Sequence, residues 1–355
     1  MNQSAWVRRF ALLLLVAALG LGVSVVWAQE TGMLTGQVVN GTEDGPVPGA
    51  GLSVVLRSFQ GGAEVDQVSM ATDADGRFRF ENLDTSSDLE YLPEVDYLGV
   101  TYSPAAPYSF ADGTTELTVT LSVYENTEDS ASLRADGMHL IVDRDEESGL
   151  LLFTEIYLIS NTGDRTVIGR EGVVEGQRAT VQIPLPDNAQ DLFFPQMAPE
   201  EELFEVGGTL VDTRAVRPGT DSLSVIFVYA LAMADDTVRL ERSVAYPTAN
   251  VTVLVPEGRL DLRSDQLEFR DVRPFEGTDY RHYATHGVMP GTALVLDFVE
   301  PGASTTSGVP QTRSTNGSTS QATIRTLGLV LAALAFVFAM VYPLASRPRR
   351  RTRRP

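Results

Sequence analysis

The sequence contains no cysteine and no lysine, only three histidines, and two tryptophans, Trp6 and Trp27, that both fall in its first segment. Without cysteine there can be no disulfide, no thiolate metal site and no cysteine nucleophile, so stability has to come from burial. Without lysine every one of the 27 basic residues is arginine, and a phosphate-cradling glycine loop ending in lysine is excluded. His139, His282 and His286 are the whole histidine inventory. No Gly-x-Ser-x-Gly elbow and no His-Glu-x-x-His helix accompanies them. A Ser-His-Asp triad would therefore need one of these three to find its partners across the fold. No catalytic residue and no cofactor is expected. A metal-dependent hydrolase survives only as a third reading, one that requires the histidines to cluster with carboxylates.

Charge is lopsided. All 47 acidic residues lie between positions 29 and 324, where eighteen arginines oppose them and leave a formal charge of −29. Such a surface repels phosphate backbones and anionic headgroups, which excludes nucleic acid as a partner. Divalent cations, basic partners or simple solubility are what remains.

The basic residues outside that stretch sit at the two ends. Arg8 and Arg9 precede the apolar run Phe10 to Trp27, and Val26-Trp27-Ala28 precedes Gln29. This is the layout of a secretory signal peptide over residues 1–28, cut after Ala28. An uncleaved anchor is the alternative, since 18 apolar residues could cross a thin bilayer. Toward the other end, Leu327 to Ala345 is 19 residues without a charge, followed by six arginines in the last nine residues. At 1.5 Å per residue the run covers roughly 28 Å, the thickness of a hydrocarbon core, and so predicts one transmembrane helix. The arginine-rich tail, 346–355, should stay cytoplasmic by the positive-inside rule, which places the body of the chain outside. A sortase signal fits poorly, because Val309-Pro310-Gln311-Thr312-Arg313 lacks both the leucine and the glycine of that motif.

Between the ends the chain reads as strand after strand. Leu117, Val119, Leu121 and Val123 alternate with Thr118, Thr120, Ser122 and Tyr124, the period-two pattern of a half-buried strand. Similar β-rich runs occur at Leu34–Val39, Leu52–Leu56, Leu150–Ile159, Ser222–Leu231, Val251–Val255 and Ala293–Phe298. Turn residues separate them: Asn40-Gly41, Asp75-Gly76, Asn161-Thr162-Gly163-Asp164 and Pro218-Gly219. The run at 222–231 is apolar at nearly every position, as for a strand buried on both faces. The expected fold class is all-β, two tandem β-sandwich domains flanked by the cleaved signal and the single C-terminal helix. A polar stretch, Glu125 to Gly137, divides a first domain, 29–125, from a second, 137–300, for which an immunoglobulin-like sandwich is the simplest solution. Residues 301–324, rich in Ser, Thr, Gly, Asn and Gln, read as a stalk.

Residues 34–124 resemble the carboxypeptidase regulatory-like domain, a transthyretin-like or CnaB-like member of the carbohydrate-binding-like folds. The resemblance rests on the opening strand Leu34-Thr35-Gly36-Gln37-Val38-Val39-Asn40-Gly41-Thr42 and the turn Val47-Pro48-Gly49-Ala50-Gly51, followed by Leu52-Ser53-Val54-Val55-Leu56. It continues in the hairpin Thr72-Asp73-Ala74-Asp75-Gly76-Arg77-Phe78-Arg79-Phe80 with Asn82-Leu83 after it. The resemblance implies a β-sandwich, and it implies no activity, since the catalytic domain that gives the family its name has no counterpart here. The isopeptide cross-link of some CnaB-like relatives would need the lysine this chain lacks.

Three sets of residues invite a functional reading. Tyr91, Tyr97, Tyr102, Tyr108 and Phe110 could form a binding surface in the first domain if their rings are exposed, stacking on sugars or anchoring a protein; core packing is the competing reading. Asp73 and Asp75 could hold Ca²⁺, or could simply form the turn. His282 and His286 would share a helix face, but on a strand rising roughly 3.3 Å per residue they stand about 13 Å apart, too far for one ion. The sequence therefore leads to a non-enzymatic, membrane-anchored extracytoplasmic protein that displays β-sandwiches to a protein partner. A cell-surface carbohydrate-binding module is the alternative.

Overall fold

The computed structural model describes residues 31–302, except 111–112, 146–147, 196–201 and 276. The expected signal peptide, most of the stalk, the spanning helix and the arginine-rich tail lie outside the described residues. Every regular element among the described residues is a strand. Among the described residues there is no helix long and apolar enough to cross a membrane. The chain divides into two compact units, the first made of 31–39, 47–96 and 101–121, the second of 40–46, 97–100 and the residues from Ser122 onward.

Unit 1 is built from β1 (Thr31–Asn40), β2 (Ser53–Gln60), β3 (Ala63–Ala71), β4 (Arg77–Asp84), β5 (Leu89–Tyr97), β6 (Val100–Tyr102) and β7 (Glu116–Val123). They form a three-stranded sheet in the order β4-β1-β7 and a four-stranded sheet in the order β3-β2-β5-β6. Alternation decides the interior: Leu34 and Val38 on β1, Val54 and Leu56 on β2, Phe78 and Phe80 on β4, and Val119, Leu121 and Val123 on β7 are all buried. Phe110 ties the two sheets together. Its ring meets Tyr91 of β5 edge to face at 5.6 Å, and on its other side it rests on Gly32 of β1, where an added Cβ would lie 2.3 Å from the ring. Only glycine lets the ring come that close.

The β4 hairpin shows why Asp75-Gly76 turns the chain. Gly76 sits at φ 73°, and a Cβ there would meet the Val38 carbonyl oxygen at 2.7 Å, so both conformation and space call for glycine. Asp73 supplies the rest, its Oδ1 accepting the backbone N–H groups of Asp75 at 2.9 Å and Arg77 at 2.8 Å.

Unit 2 contributes β8 (Asn126–Thr127), β9 (Leu133–Arg144), β10 (Leu151–Asn161), β11 (Thr166–Val167), β12 (Arg170–Val174), β13 (Gln177–Ala179), β14 (Val181–Pro184), β15 (Gln190–Phe193) and β16 (Leu203–Val206). There follow β17 (Thr209–Asp212), β18 (Gly219–Leu231), β19 (Thr237–Ser243), β20 (Thr248–Pro256), β21 (Asp261–Arg263), β22 (Glu268–Phe275), β23 (Thr278–Val288) and β24 (Ala293–Val299). Its backbone is a seven-stranded sheet, β15-β18-β10-β9-β20-β23-β22, with three-stranded sheets β14-β17-β16 and β19-β24-β21 beside it. One large core joins residues of all three, and Phe298 of β24 packs edge to face on Phe153 of β10 at 5.3 Å. As the apolar run at 222–231 predicts, β18 is buried on both faces: Val225, Phe227 and Tyr229 enter that core, while Ile226 joins Ile141, Ile156, Leu254 and Tyr280 on the opposite side.

Two features depart from the sequence reading. β9 and β20 run parallel in the middle of the large sheet, a layout different from the two antiparallel sheets of an immunoglobulin domain. The polar stretch from Glu125 is also drawn into unit 2. β8 pairs in parallel with β11, and Glu125 Oε1 accepts the Tyr97 hydroxyl at 2.7 Å and the Asn40 side-chain amide at 3.0 Å. Polar residues with fixed partners order a segment that composition alone marks as a linker.

Candidate functional site

The five aromatic residues singled out in the sequence do not converge on one exposed surface. Tyr91, Tyr102 and Phe110 are buried core residues of unit 1. The physical reason is pairing: the backbones of Tyr91 and Tyr108 exchange hydrogen bonds at 2.7 and 2.8 Å, which turns Tyr91 inward against Phe110 and leaves Tyr108 half-buried. The Tyr91 hydroxyl donates to the Asp84 carbonyl oxygen at 2.7 Å. Tyr97 is also half-buried, its hydroxyl committed to Glu125. Asp73 and Asp75 are exposed at the hairpin tip, with Asp73 engaged by the turn. Among the described residues no group of three or more His, Asp or Glu side chains is placed to hold a metal ion.

The histidines are all on the seven-stranded sheet. His282 and His286 lie on β23, on a strand and not a helix. His282 Nδ1 is 2.8 Å from Asp271 Oδ1, and His286 Nδ1 is 2.8 Å from Asn250 Oδ1. His139 is buried on β9, and burial, reinforced by nearby His282, lowers its pKa to about 4. Burial also lowers that of His282, against the opposing pull of Asp271. Both rings are thus held neutral near pH 7.

Unit 2 contains a second buried polar cluster. Glu155 of β10 and Arg242 of β19 are 0% and 1% exposed, and Arg242 Nε donates to both carboxylate oxygens at 2.7 and 3.0 Å. The Tyr229 and Tyr157 hydroxyls donate to the same carboxylate at 2.6 and 3.0 Å, while Arg242 reaches the Tyr157 oxygen and the Pro184 carbonyl. Burial alone would lower the pKa of Arg242, but the adjacent Glu155 charge overrides it and holds the guanidinium protonated. Burial pushes both tyrosines well above their usual value. Every charge here is satisfied internally, and neither charged side chain reaches solvent. It is a structural network.

Among the described residues, the edge of unit 1 with exposed apolar side chains along it is β3. All nine residues of β3 are exposed, including Val65 at 53%, Val68 at 41% and Met70 at 37%. The inward phase of the strand is set by its partner: Met70 lies opposite Val54, Val68 opposite Leu56 and Asp66 opposite Ser58, and Val54, Leu56 and Ser58 are buried. β3 thus carries core-facing side chains past the cover of the opposing sheet. Between it and β4 runs a groove of about 510 Å³, lined by Val65, Val68 and Met70 on one side, Phe80 and Leu83 on the other, with Tyr91 below. Asn82, at φ 60° in a bulge of β4, lets Leu83 return to this inner side.

The rim of the groove is acidic. Asp66, Glu81 and Asp84 line it against a single cation, Arg79, which is already paired with Glu81 at 2.6 Å. Asp84 caps the next turn through Ser86, whereas Asp66 has no hydrogen-bond or ion-pair partner among the described residues. An apolar trough, a strand edge unpaired among the described residues and surplus negative charge can together hold an extended, basic polypeptide. This site cannot be read from the sequence, because an edge is a property of strand order and the alternation of Ala63–Ala71 is that of any half-buried strand.

No family model matches the chain, and no curated protein matches it. Among solved structures it is similar to the full-length RrgB pilus protein from Streptococcus pneumoniae, at 10% identity and a TM-score of 0.18, over 77% of this chain. The chain spans 62% of the length of that protein.

Proposed function

We propose that the chain is a non-enzymatic extracytoplasmic protein, held in a membrane by its C-terminal apolar segment, that binds another protein through unit 1. The observation that carries this reading is the open β3 edge with its groove, where apolar side chains and a strand edge lie exposed together. The uncharged run at 327–345 and the arginines after it support the anchoring and its direction. Unit 1 we take for a carboxypeptidase regulatory-like sandwich; the Asp73 turn and the inward Phe78 and Phe80 support that assignment.

The test is site-specific photo-cross-linking on intact cells, with a photoreactive residue replacing Val68 in the groove or Thr118 on the exposed phase of β7. A discrete, protease-sensitive adduct from position 68 and not from 118 is expected. A periodate-sensitive, protease-resistant adduct would instead establish the carbohydrate-binding reading. No discrete adduct from position 68 would overturn both.

A further inference from the structure

The reading of unit 1 as a protein-binding module is the basis here, and the backbone of β3 specifies what kind of segment it takes. Thr72, just past the strand, donates its N–H to the Leu52 carbonyl at 2.9 Å. In an antiparallel ladder the hydrogen-bonding direction alternates residue by residue. Met70, Val68 and Asp66, in phase with Thr72, therefore turn their N–H and C=O groups toward β2. Gln67, Ser69 and Ala71 turn theirs away from it, along the free edge.

Natural edges are normally guarded by proline, basic residues or bulges. β22, at the rim of the large sheet, has all three: Pro274, Arg270 and Arg273, and a register shift between Phe269 and Asp271. β3 has neither proline nor a basic residue, and its register shift falls near the hairpin end, between Ser58 and Phe59 of its partner, leaving Asp66–Ala71 regular. Its only charges are Glu64 and Asp66.

We propose that β3 accepts an added strand from a partner protein, an extended segment whose inward residues are apolar opposite Val68 and Met70 and basic opposite Asp66. Side chains directly opposite each other on neighbouring strands share one face, so the apolar pair would lie beside Val68 and Met70 at the mouth of the groove, while the cation meets Asp66, which stands in register with Ser58 and Tyr91. A second copy of this chain is the wrong occupant, since two bodies each carrying −29 between residues 29 and 324 repel.

The probes are dye-labelled seven-residue peptides, Thr-Val-Thr-Val-Thr-Arg-Thr and the same peptide with Glu in place of Arg, titrated by fluorescence anisotropy into the full-length chain in detergent micelles. The arginine peptide should bind at least tenfold more tightly than the glutamate peptide, and Asp66→Arg should reverse that order. Ser69→Pro removes an outward N–H and none of the ladder to β2, and should weaken the arginine peptide at least tenfold. Because that variant could disturb the strand, an arginine peptide N-methylated at its threonines tests the same bonds from the ligand side and should lose affinity equally. Equal affinity for the two charge forms, or undiminished binding of the N-methylated peptide, overturns the proposal. If position 68 captures a polypeptide on cells while the peptides discriminate nothing, strand addition fails and the interaction reading stands; if it captures nothing, the interaction reading itself fails.

Discussion

Replacing Arg242 by methionine should be among the most damaging single changes in unit 2. The side chain is 1% exposed, and removing it leaves Glu155, 0% exposed, with two tyrosine hydroxyls but no countercharge, and takes a donor from the Pro184 carbonyl. Breaking a buried pair from one side costs about 3–5 kcal/mol, because the surviving charge keeps its desolvation penalty. Arg79–Glu81 is an internal control of similar length, 2.6 against 2.7 Å, but with both side chains more than half exposed. Arg79→Ala should therefore cost no more than about 1 kcal/mol. Urea unfolding of the full chain in detergent, followed by far-ultraviolet circular dichroism because residues 31–302 hold no tryptophan, would measure both. With two units the curve can show two transitions, and only the one belonging to unit 2 should move for Arg242→Met. Adding Glu155→Leu, Tyr157→Phe and Tyr229→Phe removes the stranded charge and both donors, and should recover most of the loss. The reasoning is refuted if Arg242→Met costs as little as Arg79→Ala.

Other consequences concern pH, packing and anchoring. His139, with a folded pKa of about 4 against roughly 6.5 unfolded, binds its proton more readily in the unfolded chain. Its contribution to unit 2 stability is complete above pH 6.5 and falls by up to about 3 kcal/mol as pH drops toward 4, a slope that His139→Gln should flatten in urea titrations. Gly32→Ala forces a methyl into the Phe110 ring and should lower the stability of unit 1 by about 1–3 kcal/mol, read as a shift of its transition alone. Ending the chain after residue 324 should move the protein from the membrane fraction to the soluble extracytoplasmic fraction on cell fractionation.

Much of the fold is legible because strands announce themselves by period. The alternation around Val119, Leu121 and Val123 places three side chains in the core, and the unbroken apolar run ending at Leu231 marks a strand covered on both sides. The buried ion pair also left a trace: Arg242 falls in phase with buried Val238, Leu240 and Val244, and Glu155 in phase with buried Phe153 and Tyr157. A charge on the buried phase of a strand is a signal for an internal partner, and here each charged residue is the other's partner. Strand order leaves no such trace. Nothing local tells Val68, on an edge, from Val54, in the neighbouring strand, since cover depends on where the opposing sheet ends. The same dependence put Tyr91, Tyr102 and Phe110 inside while their composition suggested a surface.

Amide hydrogen exchange on β3 tests the central claim most directly. The full-length chain would be compared alone and saturated with the arginine peptide. Strand addition predicts slowed exchange at Gln67, Ser69 and Ala71, little change at Val68 and Met70, whose amides already face β2, and none at Thr118 or Thr120. Unchanged exchange at Gln67, Ser69 and Ala71 in the saturated complex would contradict the assignment of β3 as the recognition edge.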